Sequence, residues 1–390
     1  MEIPLKYGLN PNQGFARLVS ERDPAPLTVL NGKPSFINIL DGLRGWQLVR
    51  DMKTATAKPS AASYKHVSPA GAAVAGELTE TFRQAFLIEQ TDLSPIATAY
   101  AKARSSDRVA SFGDFVSVSE TVDASLAQLL KREVSDGIIA PGYDNDALEI
   151  LKGKKSGGYV ILQIDPNYQP PETEVRTEFG LKLEQSYNDA AIDRELLTRN
   201  IVTDKKDIPE DVLDTLLVVT IALKHTQSNS VAVGWQGQAI GIGAGQQSRI
   251  ACTRLACEKF ERWLLMHHPK ALSLPIPENA GRPERGNLID EFVRWHEMDE
   301  PEQQALAARF AGPVDPITRD ERRQWVQSFE GVALSSDAFF PFRDNIDRAA
   351  ISGVKYVAQA GGSKRDQDVI DAANEHGMVM AMTGLRLFLH

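Results

Sequence analysis

The chain has 390 residues, 42% apolar and 24% charged, which is close to the soluble globular average and enough for two to three domains at about 150 residues each. With 52 acidic against 43 basic residues its net charge is −9, which excludes nucleic-acid binding by counterion release unless the basic side chains cluster. Two cysteines exclude a disulfide scaffold, and no apolar run approaches the roughly 20 residues that span a bilayer, so a soluble cytoplasmic protein with no membrane or nucleic-acid partner is expected.

Short apolar runs alternate with amphipathic stretches along the chain, which predicts an α/β fold. Val109-Ala110-Ser111-Phe112 reads as a strand running into Gly113-Asp114-Phe115. A helix over 120–133 follows, with Val122, Leu126, Leu129 and Leu130 on one face. Gly137–Ala140 is a second strand, Pro141-Gly142 a turn, and a further helix begins near Ala147. Residues 164–172 form a proline-stiffened connector. Cys252 and Cys257 read as small residues of a buried helix that ends at His267-His268-Pro269, where histidine suits the helix dipole. Residues 261–330, with Trp263, Trp295 and Trp325 and several prolines, read as a small helical insertion. Within it Leu288–Trp295 looks helical, and Thr318 with Glu321 has the form of a capping box. Near the C-terminus Val332-Ala333-Leu334, Ser336-Asp337-Ala338-Phe339, a helix around Asn345–Ala350, the strand Gly353–Ala358, the turn Gly361-Gly362 and a helix over 367–375 repeat the order seen at 109–151. Two related α/β subdomains are therefore expected.

Four stretches are dense in polar residues beside glycine or proline, a pattern that costs stability and suggests sites. In Tyr64–Gly71, Lys65 beside His66 would depress the imidazole pKa and keep the ring able to accept a proton; a surface loop is the alternative. His225–Ser230 is a run of six polar side chains between apolar runs, which either lines a site or caps an element. Ile240–Arg249 carries alternating glycines that could let backbone N–H groups approach an anion, although it is neither a Walker A loop nor a full dinucleotide fingerprint. Ser336–Asn345 sets Phe339, Phe340 and Phe342 beside Asp344, as a slot for a flat heterocycle or as core aromatics.

Taken together, Lys6-Tyr7-Gly8-x-Asn10-Pro11-x-Gln13, Lys65–Gly71, Ser111–Phe115, Arg132–Gly137, Thr226–Ser230, Gly243–Arg249, Ser336–Asn345 and Arg386-Leu387-Phe388 resemble the AICAR transformylases, in order from residue 6 to the last residue. The resemblance implies transfer of a formyl group from 10-formyltetrahydrofolate to the 5-amino group of 5-aminoimidazole-4-carboxamide ribonucleotide (AICAR) in purine synthesis. It implies two cytidine-deaminase-like three-layer subdomains, residues 1–195 and residues 196–260 with 331–390, around the 261–330 helical insert. The zinc motif of true deaminases, His-x-Glu with a later Pro-Cys-x-x-Cys, is absent from the sequence, so no zinc is expected.

Carried onto this chain, the resemblance makes His66 the general base, Lys65 the group that stabilises the oxyanion or protonates the leaving nitrogen, and Asn229 the residue that holds the carboxamide and amine. Lys6, Tyr7, Gly113, Asp136, Arg249, Phe339 and Arg386 match nucleotide-contacting positions. Ile250, Phe342, Asp344, Asn345, Ser363 and Lys364 match the folate side. A homodimer with sites at its interface is implied, as is a potassium site near Thr226, Ser228, Ser230 and Asp337. The motifs begin at residue 6, so a stand-alone form served by a separate IMP cyclohydrolase is expected. The departures are Lys6 for arginine, His225 for tyrosine, Ala251 for histidine and Leu389 for a cation-binding histidine. A nucleotide-binding protein that has lost catalysis, or an enzyme using another donor or acceptor, are the competing readings.

Overall fold

The computed structural model describes residues 1–390. The chain opens with an antiparallel ribbon, β1 (Glu2–Pro4) and β2 (Arg17–Val19). The first half continues through β3 (Leu27–Asn31), α1 (Phe36–Thr56), β4 (Ser60–Lys65), β5 (Ser68–Val74), α2 (Glu80–Ala85), α3 (Pro95–Ser105), β6 (Asp114–Val118), α4 (Ala124–Lys131), β7 (Ser135–Ala140), α5 (Asn145–Lys152) and β8 (Val160–Ile164). A second ribbon, β9 (Thr173–Glu178) and β10 (Leu181–Ser186), and the short α6 (Arg194–Thr198) lead onward. The second half has α7 (Glu210–Lys224), β11 (Val231–Trp235), β12 (Gln238–Gly243) and α8 (Arg249–Met266). Then come α9 (Pro269–Leu272), α10 (Arg282–Val293), α11 (Glu300–Ala307) and α12 (Arg319–Gln327), which share a small core around Leu265, Leu288, Phe292 and Leu306. The chain closes with β13 (Ala333–Ser336), α13 (Asp344–Ile351), β14 (Tyr356–Gln359), α14 (Asp366–Glu375) and β15 (Val379–Met382).

Eleven strands form one mixed sheet in the order β15-β14-β13-β11-β12-β5-β4-β6-β7-β8-β3. The two halves repeat one plan. In each, a long helix leads into an antiparallel hairpin (β4–β5, β11–β12), and a second helix returns the chain to an antiparallel strand (β6, β13). Two parallel strands follow, each preceded by a helix. The halves join where β5 meets β12 antiparallel, with Ala72 opposite Ala239 and Ala73 opposite Gln238.

Strand side chains alternate between two faces, and both faces are covered. Ala62, Tyr64, Ala72, Phe115 and Ile139 pack with α1 and α7, whose Leu48, Val49, Leu216 and Val219 are fully buried. Ala61, Ala73, Val116 and Ile138 pack on the opposite face with α3, α4, α8 and α13. Both second helices lie very close to their hairpins. A Cβ at Gly71 would stand 2.3 Å from the Ala103 carbonyl, and one at Gly241 would stand 2.0 Å from that of Ala256, so only glycine admits the approach. Helix starts follow side-chain caps, with Ser35 and Asn38 forming a capping box on α1, Asp123 capping α4 and Thr318 with Glu321 completing the expected box on α12.

Several expected elements shift. Residues 109–112 are a turn and the strand begins at Asp114, because Asp107 accepts from the Ala110 N–H and holds the turn locally. The helix expected over 120–133 is confined to Ala124–Lys131, and α10 begins at Arg282, ahead of Leu288. Asp114 opens β6 whereas Asp337 follows β13, so the Asp-Phe echo does not mark equivalent positions although the surrounding elements do correspond. His267 does not act as a cation at the end of α8; burial lowers its pKa to about 4, although its Nδ1 lies 2.9 Å from the Trp263 carbonyl.

Candidate active site

The β4–β5 hairpin turns through His66 and Val67, both left-handed at φ 54° and 55°. A β-branched residue in that region is strained and persists only where neighbours enforce it. The enforcing neighbour is Asp41 of α1, whose carboxylate accepts the Val67 N–H at 2.7 Å. Burial pushes the Asp41 carboxyl up to about 6, against the lowering effect of the turn's N–H groups and the neighbouring His66. The turn leaves His66 exposed and Lys65 half-buried, with the Lys65 ammonium on the Phe112 carbonyl at 2.7 Å. Beneath them Asp114 is fully buried among Arg104, Ser63 and Tyr100, and burial raises its carboxyl above the usual range despite Arg104 at 2.9 Å.

Because β5 and β12 are antiparallel, the start of β5 lies beside the end of β12 and the start of β11. The Gln227 N–H meets the Ser68 hydroxyl at 3.3 Å, which brings the Lys65-His66 turn and the Thr226–Ser230 run to one edge of the sheet. That polar run is almost wholly paired. Ser228 and Ser230 donate to Asp337 Oδ2 at 2.6 and 3.0 Å, the Ser230 N–H adds a third bond at 2.9 Å, and Arg249 takes Oδ1. Asn229 donates to the Gln246 and Gln247 carbonyls at 3.0 and 3.2 Å and accepts from Arg249 at 2.9 Å. Arg249 is thus buried as the clamp between Asn229 and Asp337. Gly241 and Gly243 admit α8 and do not line an anion loop, since a Cβ at Gly243 would stand 2.2 Å from the Cys252 carbonyl.

The C-terminal segment runs over this edge, with the Leu387 N–H on the Asp337 carbonyl and Leu389 paired with Ser228 through two hydrogen bonds. Arg386 is exposed and stacks on Phe388 at 4.7 Å. Lys6 donates its N–H to the Pro34 carbonyl just before α1, and its ammonium lies 5.7 Å from the Tyr7 ring. Gly113 is left-handed and open above its Cα, and Asp136 pairs with Lys155. Phe339 and Phe342 are 42% and 53% exposed, but Phe340 is core, so the expected three-ring slot has two free rings. Asn345 is buried, fixed by Thr253 at 2.8 Å, and donates to exposed Asp344 at 2.8 Å. Arg365 over the Phe342 ring at 5.4 Å brings the Ser363-Lys364 segment to the same place, and Ile250 lies half-buried on the first turn of α8.

At the four residues near which a monovalent cation is expected, the side chains are engaged with one another and with the backbone. Thr226 donates to the Ala222 carbonyl at 2.6 Å, Asp337 is saturated by the two serines and Arg249, and that guanidinium already supplies the positive charge. No group of three or more His, Cys, Asp and Glu side chains is placed to hold a metal ion. The sequence reading missed Asp41, a lone acid in a helical pattern. It also missed Asp51, which pairs with Lys224 at 2.9 Å and His225 at 3.0 Å behind the polar run. Burial would raise Asp51, but His225 and Lys224 hold its carboxyl down at about 2.

A duplicated three-layer α/β chain with a strained hairpin turn facing a polar loop defines a class, and sequence comparison identifies it. A family model described as AICARFT/IMPCHase bienzyme matches residues 1–259, and the chain belongs to that family. It is similar to the bifunctional purine biosynthesis protein PurH of Agrobacterium fabrum (strain C58), at 31% identity over 391 residues covering 99% of this chain and 58% of that protein. PurH of Mesorhizobium japonicum is 30% identical with the same coverage, and PurH of Magnetococcus marinus is 30% identical over 403 residues, 99% of this chain and 59% of that protein. The chain therefore spans less than two thirds of the length of these relatives.

Proposed function

We propose that this chain transfers the formyl group of 10-formyltetrahydrofolate to the 5-amino group of AICAR, giving formyl-AICAR and tetrahydrofolate in purine synthesis. The observation that carries the reading is the meeting of the Lys65-His66 turn with the Asn229 loop at one sheet edge, through the Gln227–Ser68 hydrogen bond. His66 takes the proton from the weakly nucleophilic amine as its nitrogen attacks the formyl carbon. Lys65, on a neutral carbonyl in the free protein, turns to the tetrahedral oxyanion or supplies the proton with which the folate nitrogen leaves. Asn229, with one Oδ1 lone pair remaining, orients the reacting amine. Arg249 acts here by fixing Asn229. Lys6, Tyr7, Gly113, Asp136, Phe339 and Arg386 bind the nucleotide, with Asp344 and Phe342 on the folate side.

The same reading takes each half as a cytidine-deaminase-like subdomain with the boundaries given above, which the matched strand orders support. It places the protein in the cytoplasm, where both cysteines stay free, as a homodimer whose Lys6-Tyr7 segment reaches the partner's site. Ring closure is then the work of an IMP cyclohydrolase activity. The test is a coupled assay with AICAR, 10-formyltetrahydrofolate and added cyclohydrolase, following tetrahydrofolate by absorbance. Turnover is expected, reduced about 10²–10⁴-fold in His66→Ala. No turnover from folded protein that still binds AICAR in calorimetry would overturn the reading in favour of a binding role.

A further inference from the structure

The repeat of the two halves produces a second place with the architecture of the candidate site. The β11–β12 hairpin turns through Gln236 and Gly237, at φ 48° and 70°, as β4–β5 turns through His66 and Val67. At the first edge the turn of the first half faces the segment after β12. At the opposite edge the turn of the second half faces the segment after β5, which carries Glu77 and Thr79. A cavity of about 220 Å³ opens there.

Its walls include Trp235, Trp263, Trp325 and Phe329, with buried His267 beside them and the exposed Glu77 at the lining. These rings are held in place. The Trp235 and Trp325 indoles each donate at 2.8 Å to a backbone carbonyl, and Phe329 meets both edge-on at 5.3 and 5.6 Å. The indole N–H of Trp263 is buried without a hydrogen-bond partner. Lys102 of α3 also reaches the cavity, although its residue is only 6% exposed. Its ammonium donates to the Gln236 carbonyl at 2.7 Å and has no carboxylate partner. Burial, with the like charge of Lys58, lowers its pKa to about 8, so it remains mostly charged at neutral pH. A buried cation with one neutral acceptor calls for an anion, and flat aromatic walls call for a flat ring.

We propose that this cavity is a second small-molecule site, for a planar aromatic or heteroaromatic acid whose ring lies among Trp235, Trp325 and Phe329 and whose anionic group pairs with Lys102. The site is independent of the formyl-transfer reading, being at the opposite edge of the sheet.

Indole-3-acetate is the probe, titrated into the full chain by calorimetry, with tryptamine as the cationic ring of similar size. Saturable binding of indole-3-acetate and none of tryptamine is expected, with affinity falling at least tenfold in Lys102→Met and unchanged in His66→Ala. Absence of indole-3-acetate binding to the folded wild-type chain, equal binding of tryptamine, or an unweakened Lys102→Met variant each overturns the proposal. The tryptamine comparison uses wild-type protein and stands even if the variant fails to fold.

Discussion

Asp41 sets the geometry of the His66 turn at a cost in stability. Its carboxyl has an ordinary value of 3.8 and lies near 6 in the folded chain, so between those values the folded chain binds more protons than the unfolded one. Stability is therefore fully present below about pH 4 and falls as pH rises through 6, leaving a deficit on the order of 2–3 kcal/mol at neutral pH. Asp41→Asn keeps an acceptor for the Val67 N–H and removes the charge. It is expected to raise stability at pH 7 by a comparable amount in chemical denaturation and flatten the slope between about pH 4 and 6, while slowing turnover through a looser turn. A destabilised Asp41→Asn would show that the carboxylate is no net cost to the fold, and wild-type turnover would show that it does not serve the site. The sequence exposed Lys65, His66 and the 225–230 run because adjacent polar residues beside apolar strands are visible in one dimension. Asp41 and Asp51 escaped because each is a single acid in a helix, and its partner is brought to it only by the fold.

At the scale of elements, the repeat is held by two equivalent close approaches, Gly71 to α3 and Gly241 to α8. Alanine at either position places a methyl group against a helix carbonyl, which the backbone can relieve only by shifting the helix. Gly71→Ala and Gly241→Ala are each expected to destabilise by about 1–3 kcal/mol or more, read as a lowered denaturant midpoint. A neutral result at one position would mean that the two helix–hairpin units are not mechanically alike. The later part of each repeat was legible from its alternating apolar strands and amphipathic helices. The first hairpin was not, since β4 and β5 are built mostly from serine and alanine with a proline and a glycine, weak strand formers that take this form because helices bury both faces. The glycines of Ile240–Arg249 were legible as a signal but were read as anion-binding, because helix packing and anion binding both ask for the same missing side chain.

For the whole molecule, the β9–β10 ribbon is the element through which the dimer reading can be tested. All twelve residues of its two strands are exposed, and Phe179 at its tip, with Leu181 and Leu183, presents apolar surface to solvent. A two-stranded ribbon without cover is marginal in water, and a second copy of the chain is the cover that the dimer reading supplies. The ribbon is also joined to the segment that borders the candidate site. Arg176 donates to the His390 carbonyl at 3.1 Å, and the segment ending there pairs with Ser228 and Asp337, the residues that fix the Asn229 loop. Loss of the ribbon's cover should therefore reach the chemistry. Sedimentation velocity is expected to show a dimer for the wild type and a monomer for Phe179→Asp/Leu183→Asp, with formyl transfer falling in step with the dimer fraction. A variant that stays dimeric would remove the ribbon from the interface. A fully active monomer would go further, because it would show that Lys6 and Tyr7 serve the site of their own chain.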